Sequence, residues 1–229
     1  MRFADRADAG RRLAAALARW RDVRPVVLGL PRGGVPVAYE VALALDAPLD
    51  VLVVRKLRAP QQPELGLGAV TDGDHPETVL NEEILGALVV PEAYLRREIA
   101  AQLAEVRRRQ ARFRGGRPGV PVADRTVIVV DDGVATGGTV RVAIRGLRRS
   151  RPRAVVLAVA VAAPDAVPAL RAAADEVVCL ATPDDFASVG QFYDDFGQTT
   201  DAEVMALLER AARRPAAARG MLGDDAGPA

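Results

Sequence analysis

Val127-Ile128-Val129-Val130-Asp131-Asp132-Gly133-Val134-Ala135-Thr136-Gly137-Gly138-Thr139 is the stretch that decides the fold. Four apolar β-formers end in two adjacent carboxylates, and a turn of small residues leads into a helix-compatible segment, Gly138 to Leu147. Strand, tight turn and helix in that order make the first half of a βαβ unit. Gly133, Ala135, Thr136, Gly137, Gly138 and Thr139 let successive backbone N–H groups face one concavity. The positive end of the following helix stands behind them, so a phosphate monoester is the natural guest. Asp131 and Asp132 need hydroxyl donors, a metal or water, because unpaired buried charge is costly. A ribose diol with Mg²⁺ supplies both. The stretch lacks the Gly-Lys-Thr or Gly-Lys-Ser of a P-loop, and its glycines are not spaced as Gly-x-Gly-x-x-Gly, which sets those nucleotide folds aside.

Upstream, Val26 to Leu30 is a short apolar run closed by Pro31-Arg32-Gly33-Gly34, then come a helical segment, Val35 to Leu45, and a second strand, Leu49 to Val54. Such a unit makes its two strands parallel. Before it, Leu13, Ala16, Leu17 and Trp20 recur at helical spacing within Asp5 to Trp20. Downstream, strand Ala154 to Val161, helix Asp165 to Ala173, strand Glu176 to Leu180 and helix Thr199 to Arg213 complete an α/β alternation. The expectation is a mainly parallel central sheet flanked by helices, with ligands at the carboxyl ends of the strands.

Between the two halves, Leu57 to Glu64 reads as an exposed, mobile loop, Leu65 to Thr71 as a strand, and Asn81 to Leu88 and Pro91 to Arg114 as helices. The arginines of the last alternate with Leu95, Ile99, Leu103 and Val106, the mark of a solvated amphipathic face rather than an RNA-binding surface. One domain over residues 1–213 is expected, its core at about 24–182 and a small hood drawn from 183–198 and N-terminal or inserted helices. Residues 214–229 read as a frayed tail.

The 229 residues are 50% hydrophobic, enough for one sizeable core. With 31 basic against 30 acidic residues, no global field draws in nucleic acid or an anionic membrane, so an anion site must be local. No apolar run reaches the roughly 18 residues of a membrane span, and Met1 to Gly10 has no apolar signal core. The lone Cys179 sits in an apolar run, reads as a buried small hydrophobe and has no disulfide partner, which fits a reducing, cytoplasmic setting. His75, the only histidine, stands in the turn Asp72 to Pro76, so no Ser-His-Asp or metal-histidine cluster can be built from it.

Val129 to Thr139, with its two acids, spacer and Thr-Gly-Gly-Thr, resembles the 5-phosphoribosyl-1-pyrophosphate (PRPP) motif of type I phosphoribosyltransferases, and the similarity runs from about Val26 to Phe196. The resemblance implies that Asp131 and Asp132 hold the ribose 2′- and 3′-hydroxyls while Ala135, Thr136, Gly137, Gly138 and Thr139 cradle the 5′-phosphate. Leu30-Pro31-Arg32-Gly33-Gly34 is similar to the family's pyrophosphate loop, in which the residue before a Gly-Gly pair often adopts a cis peptide. Arg55-Lys56 resembles the pair that precedes the flexible catalytic loop of orotate phosphoribosyltransferases, although this loop carries no further lysine and no histidine. Taken with Pro60, Pro63-Glu64-Leu65 and Gly68-Ala69-Val70, the pair looks like a bacterial group whose base substrate is unassigned.

The implied activity is magnesium-dependent transfer of 5-phosphoribosyl from PRPP to a nitrogen of a planar heterocyclic base, releasing pyrophosphate. Asp131, Asp132, Arg32, Arg55 and Lys56 would carry catalysis, with Arg32, Gly33, Gly34 and Lys56 on the pyrophosphate. Pro183 to Gly190 resembles the hood of hypoxanthine-guanine phosphoribosyltransferases and implies a base pocket at Phe186 and Val189, with Asp194 joining Asp131 and Asp132 at the metal. Ala162-Ala163-Pro164 carries no lysine where those enzymes have one. The partners implied are PRPP and a small base, a homodimer is compatible, and a non-catalytic PRPP or nucleotide sensor of the same fold is the alternative.

Overall fold

Among the described residues, eight strands, β1 (Val26–Gly29), β2 (Leu49–Val51), β3 (Val54–Arg58), β4 (Gly66–Thr71), β5 (Glu77–Leu80), β6 (Thr126–Asp131), β7 (Ala154–Val161) and β8 (Glu176–Ala181), form two sheets in the computed structural model. The helices are α1 (Arg6–Ala16), α2 (Gly34–Leu45), α3 (Glu82–Ala87), α4 (Glu92–Arg114), α5 (Gly138–Arg149), α6 (Val167–Ala173) and α7 (Asp201–Arg213). The structure describes residues 1–60, 62, 65–71 and 77–214. The turn holding His75 and all but Arg214 of the expected tail lie outside the described residues.

The main sheet has the order β2-β1-β6-β7-β8, and every pairing in it is parallel. Its strands are apolar at nearly every position because both faces are covered. Val27, Ile128, Val130, Val156 and Ala158 pack in one cluster with Leu13 of α1, Val41 of α2 and Leu208 of α7. The alternate residues Val26, Val127, Val129, Val155 and Leu157 pack in another with Ile144 and Leu147 of α5 and Leu170 of α6. The two-residue period of a strand thus builds both helical layers at once. Cys179, on the edge strand β8, is half-buried rather than buried, and its thiol lies 3.1 Å from the Ala181 carbonyl.

The segment read as one strand from Leu49 to Val54 divides. Leu52 still donates its N–H to the Gly29 carbonyl at 3.0 Å, but Val54 begins β3, antiparallel to β4 in a second sheet of order β3-β4-β5. The break is invisible in composition because Leu52 and Val53 are both buried, on opposite sides of the layer. The expected loop starts later than read. Leu57 and Arg58 continue β3, and Leu57 and Ala59 are buried anchors, while Gln61, Pro63 and Glu64 lie outside the described residues.

The small sheet packs against α4 and α5. The end of α4 is tied to β2 by Arg114, whose Nε lies 3.0 Å from the buried Asp50 carboxylate. Most of α4 is a solvated ion-pair face, where Arg108 and Arg109 hold the Glu105 carboxyl down to about 2. No helix among the described residues is long and apolar enough to cross a membrane.

Candidate active site

At β1 and β6 the strand order reverses direction: one crossover runs from β1 through α2 to β2, the other from β6 through α5 to β7. Loops leaving such a switch point diverge and leave a crevice at the carboxyl ends of the strands. Two loops meet there, tied by the Leu30 N–H donating to the Val130 carbonyl at 2.9 Å.

Their contact is close enough to dictate glycine. A Cβ on Gly33 would lie 2.0 Å from Asp132 Oδ2, and one on Gly34 would lie 2.6 Å from the Val130 carbonyl oxygen and 3.0 Å from Asp131 Oδ1. The Pro31–Arg32 peptide bond is cis. The Arg32-Gly33-Gly34 turn therefore lies directly against the acidic pair. Arg32 itself leans outward, its guanidinium 3.9 Å from Asp201 at the start of α7, a carboxylate shared with Arg112 at 2.9 Å.

Asp131 ends β6 and accepts the Asp132 backbone N–H on Oδ1 at 2.9 Å. Burial first, and the neighbouring Asp132 second, push its carboxyl well above the ordinary range. Asp132 has a cation that nothing in its own segment announces. Arg6 of α1 donates Nε–H to Asp132 Oδ2 at 2.7 Å, with both side chains only 13% exposed. Arg6 also donates to the Gly197 carbonyl at 2.7 Å and lies 4.0 Å over the Phe196 ring. The Tyr193 hydroxyl donates to the Asp132 carbonyl at 2.6 Å, and burial drives its pKa upward, so it stays a donor. Phe3 pairs with Tyr193 as a parallel bridge, which brings the N-terminal and C-terminal segments together at this point.

Beyond the acids, Val134 and Val140 are buried while Ala135, Thr136, Gly138 and Thr139 are exposed. Gly137 caps α5 at φ 73 and no side chain satisfies the first N–H groups of that helix, which leaves them free for an anion. The loop is fixed to β7 by Val134 N–H to the Val161 carbonyl at 2.9 Å.

The remaining expected residues divide. Arg55 and Lys56 do not stand side by side at a strand's end: they sit inside β3 and point to opposite faces. Arg55 donates to Gln102 of α4 at 3.1 Å, whereas Lys56 faces the Gly138–Thr139 end of α5. Val189 reaches the acidic turn, since a Cβ on Gly133 would lie 2.5 Å from its Cγ1. Phe186 is half-buried and stacks on Phe192 with centroids 5.6 Å apart. Asp194 does not join the acids. It is exposed and paired with Arg2 at 2.6 Å, and no three His, Cys, Asp or Glu side chains gather as a metal cluster among the described residues. Arg6 and Phe196 were missed by sequence reasoning; Arg6 lies 126 residues before its partner on an ordinary amphipathic helix.

The doubly covered parallel sheet makes the chain an α/β protein, and the acidic pair, the glycine turn and the uncapped small-residue loop stand together at its switch point. The family model of the phosphoribosyl transferase domain matches residues 4–196, and the chain belongs to that family. Proteins of Mycobacterium tuberculosis strains CDC 1551 and H37Rv, which carry phosphoribosyl transferase as a provisional name, are 50% identical over 211 residues, 92% of this chain. The chain spans about half the length of these curated relatives, 47%. The crystal structure of TT1426 from Thermus thermophilus superposes with a TM-score of 0.81 at 50% identity, covering 92% of this chain and 99% of that one.

Proposed function

We propose that the chain is a phosphoribosyltransferase that moves the 5-phosphoribosyl group of PRPP onto a nitrogen of a planar heterocyclic base and releases pyrophosphate. The observation that carries this reading is the packing of Gly33 and Gly34 against the Asp131 and Asp132 carboxylates, beside the uncapped start of α5. It puts diol acceptors, a turn without side chains and the open N–H groups of α5 around one crevice, a layout suited to a ribose that carries phosphates.

In this reading Asp131 and Asp132 accept the ribose hydroxyls, Ala135 to Thr139 take the 5′-phosphate, and Gly33 and Gly34 let the chain approach the pyrophosphate closely. Lys56 and Arg32 neutralise charge as it moves onto the leaving group. The transition state has oxocarbenium character, as in other glycosyl transfers, so little side-chain acid–base chemistry is needed. The acidic pair fits a divalent cation: the half-buried Asp131 carboxyl has one backbone N–H donor and a pKa pushed upward by desolvation, and a nearby dication relieves such a carboxylate. Asp131 and Asp132 would hold Mg²⁺, which when bound supplies charge balance between pyrophosphate and ribose oxygens. The base would lie toward Val189 and Phe186.

The test is calorimetry of Mg²⁺-PRPP binding to the chain and to Asp131→Asn combined with Asp132→Asn, followed by a screen of free bases for PRPP-dependent pyrophosphate release. The double substitution should abolish measurable binding, since charge-assisted hydrogen bonds contribute about 1.5–3 kcal/mol each. Equal affinity would refute the site. Tight binding with no pyrophosphate released by any base would refute the transferase and favour a sensor.

A further inference from the structure

A cleft of about 870 Å³ lies on the other flank of α5, between that helix, α6 and the glycine-bearing face of β4. Its size is that of a small-molecule site, and it touches none of Arg32, Asp131, Asp132 or Phe186. We propose that this cleft is a second anion site, taking a small phosphorylated molecule, and that its occupant antagonises PRPP.

The charge in it is unbalanced. Among the described residues, Arg141, Arg145 and Arg148 of α5 and Lys56 of β3 line the cleft with one carboxylate, that of Glu82. The three arginines follow one another at helical spacings of four and three residues, so they share a face of α5 while Val140, Ala143, Ile144 and Leu147 are buried on the other. Arg148 is engaged by Asp175 at 3.0 Å. Arg141 and Arg145 are exposed and paired with no carboxylate among the described residues, and so is Lys56. Arg141 and Arg145 stand four residues apart, about 6 Å along the helix axis, and unneutralised like charges at that spacing repel. An ordinary solvated helix face would look onto open water. This one looks across a cleft at β4, where the missing side chain of Gly66 leaves open space, and Ala169 and Ala172 of α6 give the far wall an apolar surface for a less polar moiety.

The end of the cleft is formed by Gly138 and Thr139, part of the loop assigned above to the sugar phosphate. An anion reaching from Arg145 to Thr139 would use donors that PRPP also needs. The antagonism rests on the proposed function, but the anion site does not, because Arg141 and Arg145, which define it, have no part in the acidic crevice.

Inorganic tripolyphosphate is the probe, its binding followed by calorimetry at low salt on the whole chain. The parent should bind it. Arg141→Ala with Arg145→Ala should bind at least tenfold more weakly at an unchanged melting temperature, both side chains being exposed. Asp131→Asn with Asp132→Asn should bind it as the parent does. Failure of the parent to bind at about 1 mM, full affinity in the arginine variant, or loss of affinity in the aspartate variant would each overturn the proposal. So would arginine-dependent binding of a single-stranded oligonucleotide without binding of tripolyphosphate. Tripolyphosphate should also weaken PRPP binding to the parent but not to the arginine variant. Arginine-dependent binding of tripolyphosphate by a chain that never binds PRPP would uphold the cleft while refuting the transferase.

Discussion

Replacing Arg6 by methionine should destabilise the fold by about 3 kcal/mol, and the loss should depend on pH. The pair it forms with Asp132 is 2.7 Å long and 13% exposed on each side, so the case is close to breaking a buried ion pair, where removing one partner costs about 3–5 kcal/mol. Methionine keeps the apolar stem but leaves Asp132 beside Asp131 without a cation. The Asp131 carboxyl, already raised by burial and by Asp132, then loses the Arg6 charge that lowers it and rises further above its value in the unfolded chain. A group with a raised folded pKa contributes stability that is present at low pH and is lost as pH rises through the folded pKa. The deficit of Arg6→Met should therefore be larger in melts near pH 8 than near pH 5. For a chain of this length 1 kcal/mol moves Tm by about 2–4 °C, so thermal melts should show a fall of about 6–12 °C at the higher pH. Arg6→Lys should recover part of it, keeping the charge but not both hydrogen bonds, to Asp132 and Gly197. An equal fall at both pH values, or none, would refute the view that Arg6 neutralises the acidic crevice.

The same sign argument applies to Asp131, whose carboxyl is already raised by burial and by Asp132. Asp131→Asn should raise Tm by a few degrees at neutral pH, with the gain fading in acid, while Mg²⁺-PRPP binding is lost; a lower Tm at neutral pH would show the carboxylate to be stabilising. Gly33→Ala puts a Cβ 2.0 Å from Asp132 Oδ2. That overpacking costs about 1–3 kcal/mol, and PRPP affinity measured by calorimetry should fall at least tenfold, unchanged affinity refuting the close approach. Phe186→Ala should lose a ring pair contributing about 0.5–1.5 kcal/mol and raise KM for the base several-fold. A stability loss with unchanged KM would leave Phe186 as a packing partner of Phe192 alone.

The parallel sheet was legible because its apolar runs are bounded by the turn residues that parallel crossovers require, and the acidic loop because two carboxylates before a turn with six small residues have few other uses. Composition failed where burial was continuous. Leu52 and Val53 look like more strand, yet there the chain passes from one sheet to the other, so Arg55 and Lys56 alternate across β3 rather than standing together at a strand's end. Glu77 to Leu80 is too short to read as a strand without its partner β4. Arg6 could not be found by any local pattern, because only the three-dimensional meeting of α1 with the Tyr193–Gly197 segment gives it a role.

That meeting comes late as the chain leaves the ribosome. Phe3 N–H bonds to the Phe192 carbonyl, Asp194 N–H to the Phe3 carbonyl and Asp195 N–H to the Ala4 carbonyl. Arg6 and its acceptor at Gly197 are separated by 191 residues. At about 5–20 residues per second, synthesis leaves Arg6 waiting roughly 10–40 s for that partner. The sheet strands all emerge earlier, so the strands that carry the acids are available to pair before the segment that closes over them has been made. A tag or linker fused ahead of Phe3 would act on that late step, and its effect would be read as slow acquisition of PRPP binding rather than as a failure to fold.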